Sequence, residues 1–342
     1  MRINDIGGWT DTWFSGVGNV LNIAVSPLVK VEIKVYENTR GIEKRVLMRA
    51  KNYGDTFRIN PEKPDYQIHP LLQGALNSIS IPENLELDIS IHSDIPAGSS
   101  TGTSASVCVA LLGALGHLTP HRHSPDRIAS LAHRVETEKL KLQSGIQDQI
   151  CAAYGGVCFI RMYKYPQSEV SKLDLDAGIW ETLDQRLCLV FLGKAHSSTA
   201  IHEEVIARLE SKGALFPIIE EMRRLAERGR DFLLKGDLDS YGQVMIQNNE
   251  CQRALHPELI PEEADLVIQA AKRYRAAGWK VNGAGGKGGS ITLLSSSRES
   301  LKKQMLKEID LCGKGVRSIP VSLSQSGLTV EERLSNQDLS SS

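Results

Sequence analysis

Apolar positions along the chain change their period several times, and each change marks a different kind of element. Residues 20–37, VLNIAVSPLVKVEIKVYE, are dense in β-branched side chains and alternate over short stretches, which predicts strand broken at Pro27. EKRVLMRAKN (43–52) and DTFRIN (55–60) add strands, and ELDISIHSDIP (86–96) alternates cleanly. From Ser104 the spacing turns helical through ASVCVALLGALGHL, and again through PDRIASLAHRVETEKLKLQ, with Pro125 near the first turn. After Gly155 and Gly156, VCFIRMY and RLCLVFLG predict two more strands.

The second half is mostly helical in pattern. Residues 202–250 carry apolar side chains at three- and four-residue spacing. Residues 261–278 do the same, with Gly278 predicted as the C-cap. WKVNGAGGKGGSITLLSS (279–296) then predicts strand, glycine-rich turn and strand, and a last strand is expected over 316–321. The order is a β-rich lobe, a helical middle and an α+β lobe, followed by a polar tail, SNQDLSSS, expected to be disordered.

Bulk properties narrow the function classes. The 342 residues are 41% hydrophobic and 24% charged, ordinary values for a soluble globular protein. A net charge of -1 advertises neither a nucleic-acid nor an anionic-membrane surface. No run of about 18 apolar residues predicts a membrane span, and MRINDIGGWTD lacks the apolar core of a signal peptide. The 6 cysteines are scattered without CxxC spacing, so reduced thiols in a cytoplasmic protein are expected. Oligomeric state leaves no trace in the sequence.

Three segments carry candidate chemistry. In PAGSSTGTS (96–104), Gly98 and Gly102 permit close backbone approach, and Ser99, Ser100, Thr101, Thr103 and Ser104 supply hydroxyls. The helix that follows would aim its free N–H groups into the loop, suiting a di- or triphosphate, while a hydroxyl at its start could ligate Mg²⁺. No Gly-Lys-Ser/Thr ends the loop, so it is not a Walker A sequence, and an N-capped helix after a polar turn reads equally well. In RINDIGGWTDT (2–12), Asp11 could accept from sugar hydroxyls and Arg2 could meet developing negative charge, although Gly-Gly and Asp also mark plain loops. In VETEKLKLQSGIQDQICAAYGG (135–156), Asp148 could take a proton from a hydroxyl and a helix glutamate, Glu136 or Glu138, could complete a metal site. A charged helix and a capping acid would explain the same residues.

Taken together these segments resemble the GHMP kinases. PAGSSTGTSAS is similar to that family's phosphate-binding signature, VNGAGGKGGSITLL (281–294) to its C-terminal glycine-rich motif, SGIQDQ to the segment with the catalytic aspartate, and RINDIGGWTDT to the sugar-binding N-terminal motif. The four occur in family order from Arg2 to about Val330. GGWTDT, QDQ and LGKAHSS (192–198) look most like the fucokinase and heptose 7-phosphate kinase branch.

The resemblance implies an α+β, two-lobed fold, with a ribosomal-protein-S5-like N-terminal lobe over 1–180, a ferredoxin-like C-terminal lobe over 181–330 and a disordered tail over 331–342. It implies an ATP-dependent sugar kinase using Mg²⁺, with a small-molecule sugar or sugar phosphate as its partner. The acceptor would be phosphorylated at its anomeric hydroxyl. Pro96 and residues 98–104 would bind the nucleotide, Asp148 would be the base, and Arg2 would stabilise the transferring phosphoryl group. Ser104 and Glu136, or else Glu138, would hold the metal. Asp11, Gly8, Gly285, Gly286 and His196 would bind the acceptor, with Lys194, His196 and Arg253 available to a substrate phosphate. A diphosphate decarboxylase or a non-catalytic binder on the same scaffold are the alternatives. Three departures stand out: the chain begins Met1-Arg2, so the strand ahead of the arginine is truncated, leaving Arg2 on a frayed end, or the true start lies upstream; Ser100 and Thr101 replace Gly-Leu; and Lys287 and Ser290 interrupt the C-terminal motif.

Overall fold

The computed structural model describes residues 1–120, 122–195, 199–211, 213 and 215–333. The expected disordered tail lies outside the described residues from 334 onward, as do His196 and its two serine neighbours. In chain order the strands are β1 (Arg2–Ile6), β2 (Gly18–Ser26), β3 (Lys30–Glu37), β4 (Val46–Ala50), β5 (Asp55–Ile59), β6 (Leu85–His92), β7 (Val157–Lys164), β8 (Gln167–Lys172), β9 (Leu187–Leu192), β10 (Gly278–Val281), β11 (Ser290–Leu294), β12 (Val316–Ile319) and β13 (Ser322–Leu323). The helices are α1 (Pro70–Leu76), α2 (Thr103–His117), α3 (Pro125–Arg134), α4 (Gln147–Tyr154), α5 (Ala177–Arg186), α6 (Thr199–Glu210), α7 (Phe216–Lys235), α8 (Leu238–Leu255), α9 (Glu262–Arg273) and α10 (Glu299–Ile309).

Three sheets organise these elements. β3-β6-β4-β5 packs Met48, Leu87 and Ile89 against Leu72 of α1, Leu111 and Leu112 of α2 and Ile128 of α3. β1-β2-β7-β8 buries Ile3, Leu21, Ile23 and Phe159 on Leu225 and Leu233 of α7 and on Tyr241 and Val244 of α8. β10-β11-β9-β12 buries Val190, Ile291 and Leu293 beneath Val267 of α9 and Met305 of α10. The expected boundary at residue 180 falls inside α5, and the chain does not stay with the last sheet to 330. β13 returns to pair with β2, and Leu328 then packs against α2 at Gly113, its amide donating to the Ala153 carbonyl at 3.1 Å. Among the described residues no helix is long and apolar enough to cross a membrane.

Several sequence expectations are corrected. Arg2 is not on a frayed end: it pairs with Ala24 in β1, whose five residues are all buried, and its own amide donates to the Thr101 carbonyl at 3.0 Å. The polar β8 escaped the pattern because it is an edge strand, exposed or half-exposed along its length. The helical run over 202–250 is interrupted between α7 and α8, where Asp237 accepts from the Ser240 amide and starts a new helix. α3 does not run on as a regular helix; residues 135–139 form a wider π turn.

Gly278 does not cap α9, which ends at Arg273; it opens β10 where that strand crosses α8. A Cβ on Gly278 would lie 2.5 Å from the Gly242 carbonyl oxygen, and one on Gly242 would lie 2.3 Å from that of Ala277. Glycine is therefore kept here for close approach. Gly242→Ala, which in an open helix would gain about 1 kcal/mol, is expected to lower stability by about 1–3 kcal/mol through overpacking, measurable as a fall in the urea midpoint.

Candidate active site

The phosphate-loop candidate is held from behind by its own carbonyls. Ser290 Oγ donates to the Ser99 carbonyl, the Arg2 guanidinium to that of Ser100 at 2.7 Å, and the Arg2 amide to that of Thr101. Three consecutive oxygens that would repel an anion are thus tied down. Ser290, read as an interruption of the glycine motif, is the side chain that joins that motif to the loop. Two of the loop hydroxyls are structural: Ser99 Oγ donates to the Pro96 carbonyl at 2.6 Å, and buried Thr101 pairs with the Thr103 hydroxyl at 3.1 Å. Ser104 is exposed at the start of α2, whose first turn carries no acid and whose cap, Gly102, offers no side-chain bond to the free amides. That end of the helix presents positive partial charge to whatever lies in front of it.

Asp148 lies in front of it, on the first turn of α4. Gly102 has φ +65°, and a Cβ there would come within 3.0 Å of the Asp148 carboxyl, so glycine lets the carboxylate approach the helix start. Arg2 Nε donates to Asp148 Oδ1 at 2.6 Å. Burial works against the charge on Arg2, but Asp148 and Asp5 more than offset it and raise its pKa.

Asp5 is the residue that sequence reading missed and on which this corner turns. Its fully buried Oδ1 accepts from Lys280 Nζ and from the Gly283 amide, both at 3.0 Å, with an Arg2 nitrogen 3.7 Å away. Burial alone would raise the Asp5 carboxyl, yet the charges of Lys280 and Arg2 and the two hydrogen bonds bring it below its ordinary value. Asn4 and Asn282 extend the tie, the Asn4 amide donating to Asn282 Oδ1 at 2.9 Å. The lysine within the otherwise apolar short strand GWKV, and the arginine and aspartate within RINDI, were the available signal.

Two cavities open on this corner, of about 560 and 380 Å³. They share Arg2, Ser104, Asp148, Gly283 and Ala284. The larger follows the loop from Ala97 to Ser104 and ends between Tyr53, His69, Leu71, Leu72 and Ile91. His69 stacks on Phe57 at 5.6 Å and bonds Asp55 through Nε2 at 2.8 Å, which fixes its ring. The smaller is lined by the polar side chains of Asp11, Glu136, Gln143, Ser144 and Gln147 and by the apolar ones of Trp9, Trp13, Phe14 and Ile206.

The π turn settles which glutamate faces inward. Glu136 is buried, its Oε2 accepting from Ser144 Oγ at 2.6 Å and Gln149 Nε2 at 2.8 Å, whereas Glu138 points out and pairs with Arg134. Burial, with Asp148 nearby, pushes the Glu136 carboxyl up to about 7. Asp11 is 2% exposed and accepts from the Gln147 amide at 3.0 Å; burial pushes it up to about 6, against that hydrogen bond.

Other expected site residues sit elsewhere. Gly8 faces the Asp5 side chain rather than a cavity, and Gly285 and Gly286 turn against Leu259, leaving Gly283 and Ala284 to line both cavities. Lys194 is paired with Glu263 and Arg253 with Asp265, and neither lines a cavity. Trp9, Trp13 and His202 were not singled out from the sequence, yet all three line the smaller cavity.

With this geometry in view, comparison with known proteins is informative. Residues 71–156 match the family model described as the GHMP kinases N terminal domain. The chain is 30% identical over 257 residues to mevalonate kinase of Thermococcus onnurineus, covering 72% of this chain and 69% of that one. It is 26% identical over 327 residues to the bifunctional fucokinase/GDP-fucose pyrophosphorylase of Arabidopsis thaliana, 90% of this chain but only 30% of the length of that protein. A D-glycero-D-manno-heptose 1-phosphate kinase from Bacteriodes thetaiotaomicron has the same fold, with a TM-score of 0.74 at 20% identity over 97% of this chain and 98% of that one. The chain belongs to the GHMP kinases.

Two outcomes follow for the buried charges. Lys280→Met leaves Asp5 with an uncompensated buried charge and should cost about 3–5 kcal/mol in chemical denaturation. Asp11 has the opposite sign: its raised pKa means the folded state holds the proton more tightly, so stability falls as pH rises from about 4 to 6 and stays lower above. Asp11→Asn should therefore stabilise the fold by about 1–3 kcal/mol at pH 8, with the gain fading below about pH 6.

Proposed function

We propose that the protein transfers the γ-phosphoryl group of ATP to a sugar hydroxyl, the anomeric one, in an acceptor of the heptose 7-phosphate or fucose type. The observation that carries this reading is the meeting of the two cavities at Asp148, Arg2 and Ser104, directly before the unpadded start of α2. One cavity has an apolar, aromatic far end and a helix N-terminus at its near end, the surface a nucleotide asks for. The other is rich in carboxyl and amide groups, the surface that sugar hydroxyls ask for.

Phosphoryl transfer needs alignment and charge neutralisation more than covalent help. The amides at the start of α2 bind the phosphate oxygens. Asp148 accepts the proton of the attacking hydroxyl, and an anomeric hydroxyl, more acidic than an ordinary alcohol, suits a carboxylate base. Arg2, fixed by Asp5 and Asp148, neutralises charge on the group in transit. Asp11 and Gln147 orient the sugar. Among the described residues no cluster of three or more His, Cys, Asp or Glu could hold a metal by itself. That suits Mg²⁺, which keeps its waters and takes few protein ligands beside phosphate oxygens. Ser104 and Glu136 would hold it, and bound there it would screen the phosphate charge.

Asp148→Asn keeps the acceptor atom for Arg2 Nε and removes the base. Turnover is expected to fall by about 10²–10⁴-fold, the usual worth of a positioned base, with the KM for ATP changing little. A near-unchanged rate in a coupled ADP-release assay would take Asp148 out of this role.

A further inference from the structure

We infer that the acceptor is an uncharged monosaccharide, and that the smaller cavity rejects acceptors bearing a phosphate or carboxylate. This rests on the reading above that the smaller cavity receives the acceptor. The two acceptor types considered there differ in charge, one carrying a phosphate ester and the other none.

Three carboxyl groups, Asp11, Glu136 and Asp148, line this cavity. Its basic side chains among the described residues are Arg2 and His202. Arg2 is committed to Asp148, to the Ser100 carbonyl and to Asp5. His202 has Nε2 3.3 Å from the Gly285 carbonyl and its ring edge-on to Trp9 at 5.5 Å. Lys194 and Arg253, the cations the sequence made available to a phosphate, are ion-paired at 2.8 and 2.6 Å away from the cavity. Among the described residues, a phosphate or carboxylate placed here would meet three carboxyl groups and no basic side chain that is not already bonded within the protein, the arrangement by which binding sites exclude wrong partners.

The same walls match a neutral sugar. A pyranose has hydroxyl edges that both donate and accept, and an apolar face of C–H groups. The polar wall supplies carboxyl and amide partners. Two lining residues also carry buried polar atoms with no partner in the protein, Trp9 Nε1 as a donor and Gln147 Oε1 as an acceptor. Trp9 and Trp13 supply indole surface for the C–H face. Trp13 is pre-positioned there, its Nε1 donating to Glu210 at 2.7 Å and its ring edge-on to Tyr165 and Phe14. A volume of 380 Å³ lies near the lower end for small-ligand pockets, suited to one sugar ring rather than a chain of them.

The test titrates the purified chain with matched pairs: D-mannose and D-mannose 6-phosphate, D-glycero-D-manno-heptose and its 7-phosphate, with L-fucose and mevalonate alongside. Binding is read from tryptophan fluorescence, to which Trp9 and Trp13 contribute, and turnover from ADP release with ATP and Mg²⁺. At least one free sugar should bind at millimolar concentration or below. Its kcat/KM should exceed that of its phosphate ester by about 100-fold, the scale of discrimination a pocket achieves by contact chemistry. Equal or better binding or turnover of a phosphate ester or of mevalonate would overturn the inference, as would failure of every free sugar to bind. Free sugar that binds without ADP release would support the uncharged site while removing the kinase reading, so the two fail separately.

Discussion

The fully buried carboxylate of Asp5 is the interaction on which the working corner of this molecule depends. It comes from the first strand, yet it fixes a lysine on β10, the backbone of the glycine turn after β10 and an arginine of its own strand. Each of those groups in turn holds something else. Arg2 holds the carbonyls of the phosphate loop and the carboxylate of Asp148, and Gly283 forms the seam between the two cavities. Charges taken this far from water are stable only when every partner is present, so the network acts as a single unit. Sequence-distant segments are held together because removing any one of these partners would leave a buried charge less compensated.

That arrangement separates a common part from a variable one. Arg2, Ser104 and Asp148 face both cavities. The far walls differ in kind, one apolar and aromatic, the other acidic and indole-lined. Similarity to proteins named for mevalonate, fucose and heptose substrates is what a shared corner with exchangeable walls would give. Asp11 carries a cost in stability: a buried carboxyl raised to about 6 weakens the fold at neutral pH.

Much of the frame was legible in the sequence. Strands β4 and β6 alternate because one face of their sheet meets helices, and α2 follows its loop with no ambiguity. What escaped had physical reasons. β1 is five residues long with three polar side chains, all buried by partners over 140 residues away, and no local pattern can announce that. The register of Glu136 against Glu138 depends on a π turn, which shifts the facing side by one residue and carries no periodic mark. Ser290 reads as a blemish in a glycine run until its hydroxyl is seen on the Ser99 carbonyl. Lys194 and Arg253 look free in sequence because their carboxylate partners lie 69 and 12 residues further on.

The return of residues 322–328 to β2 and α2 bears on how the chain acquires its shape during synthesis. The helix that begins at the phosphate loop rests on Leu328, and β2 takes both the first strand and the last as neighbours. The half that emerges first from the ribosome must therefore wait, with an open edge and an uncovered helix face, until residue 328 has been translated. Assembly of the corner around Asp5 is then a late and collective event, and a nascent chain halted before residue 322 lacks the piece that closes the first half.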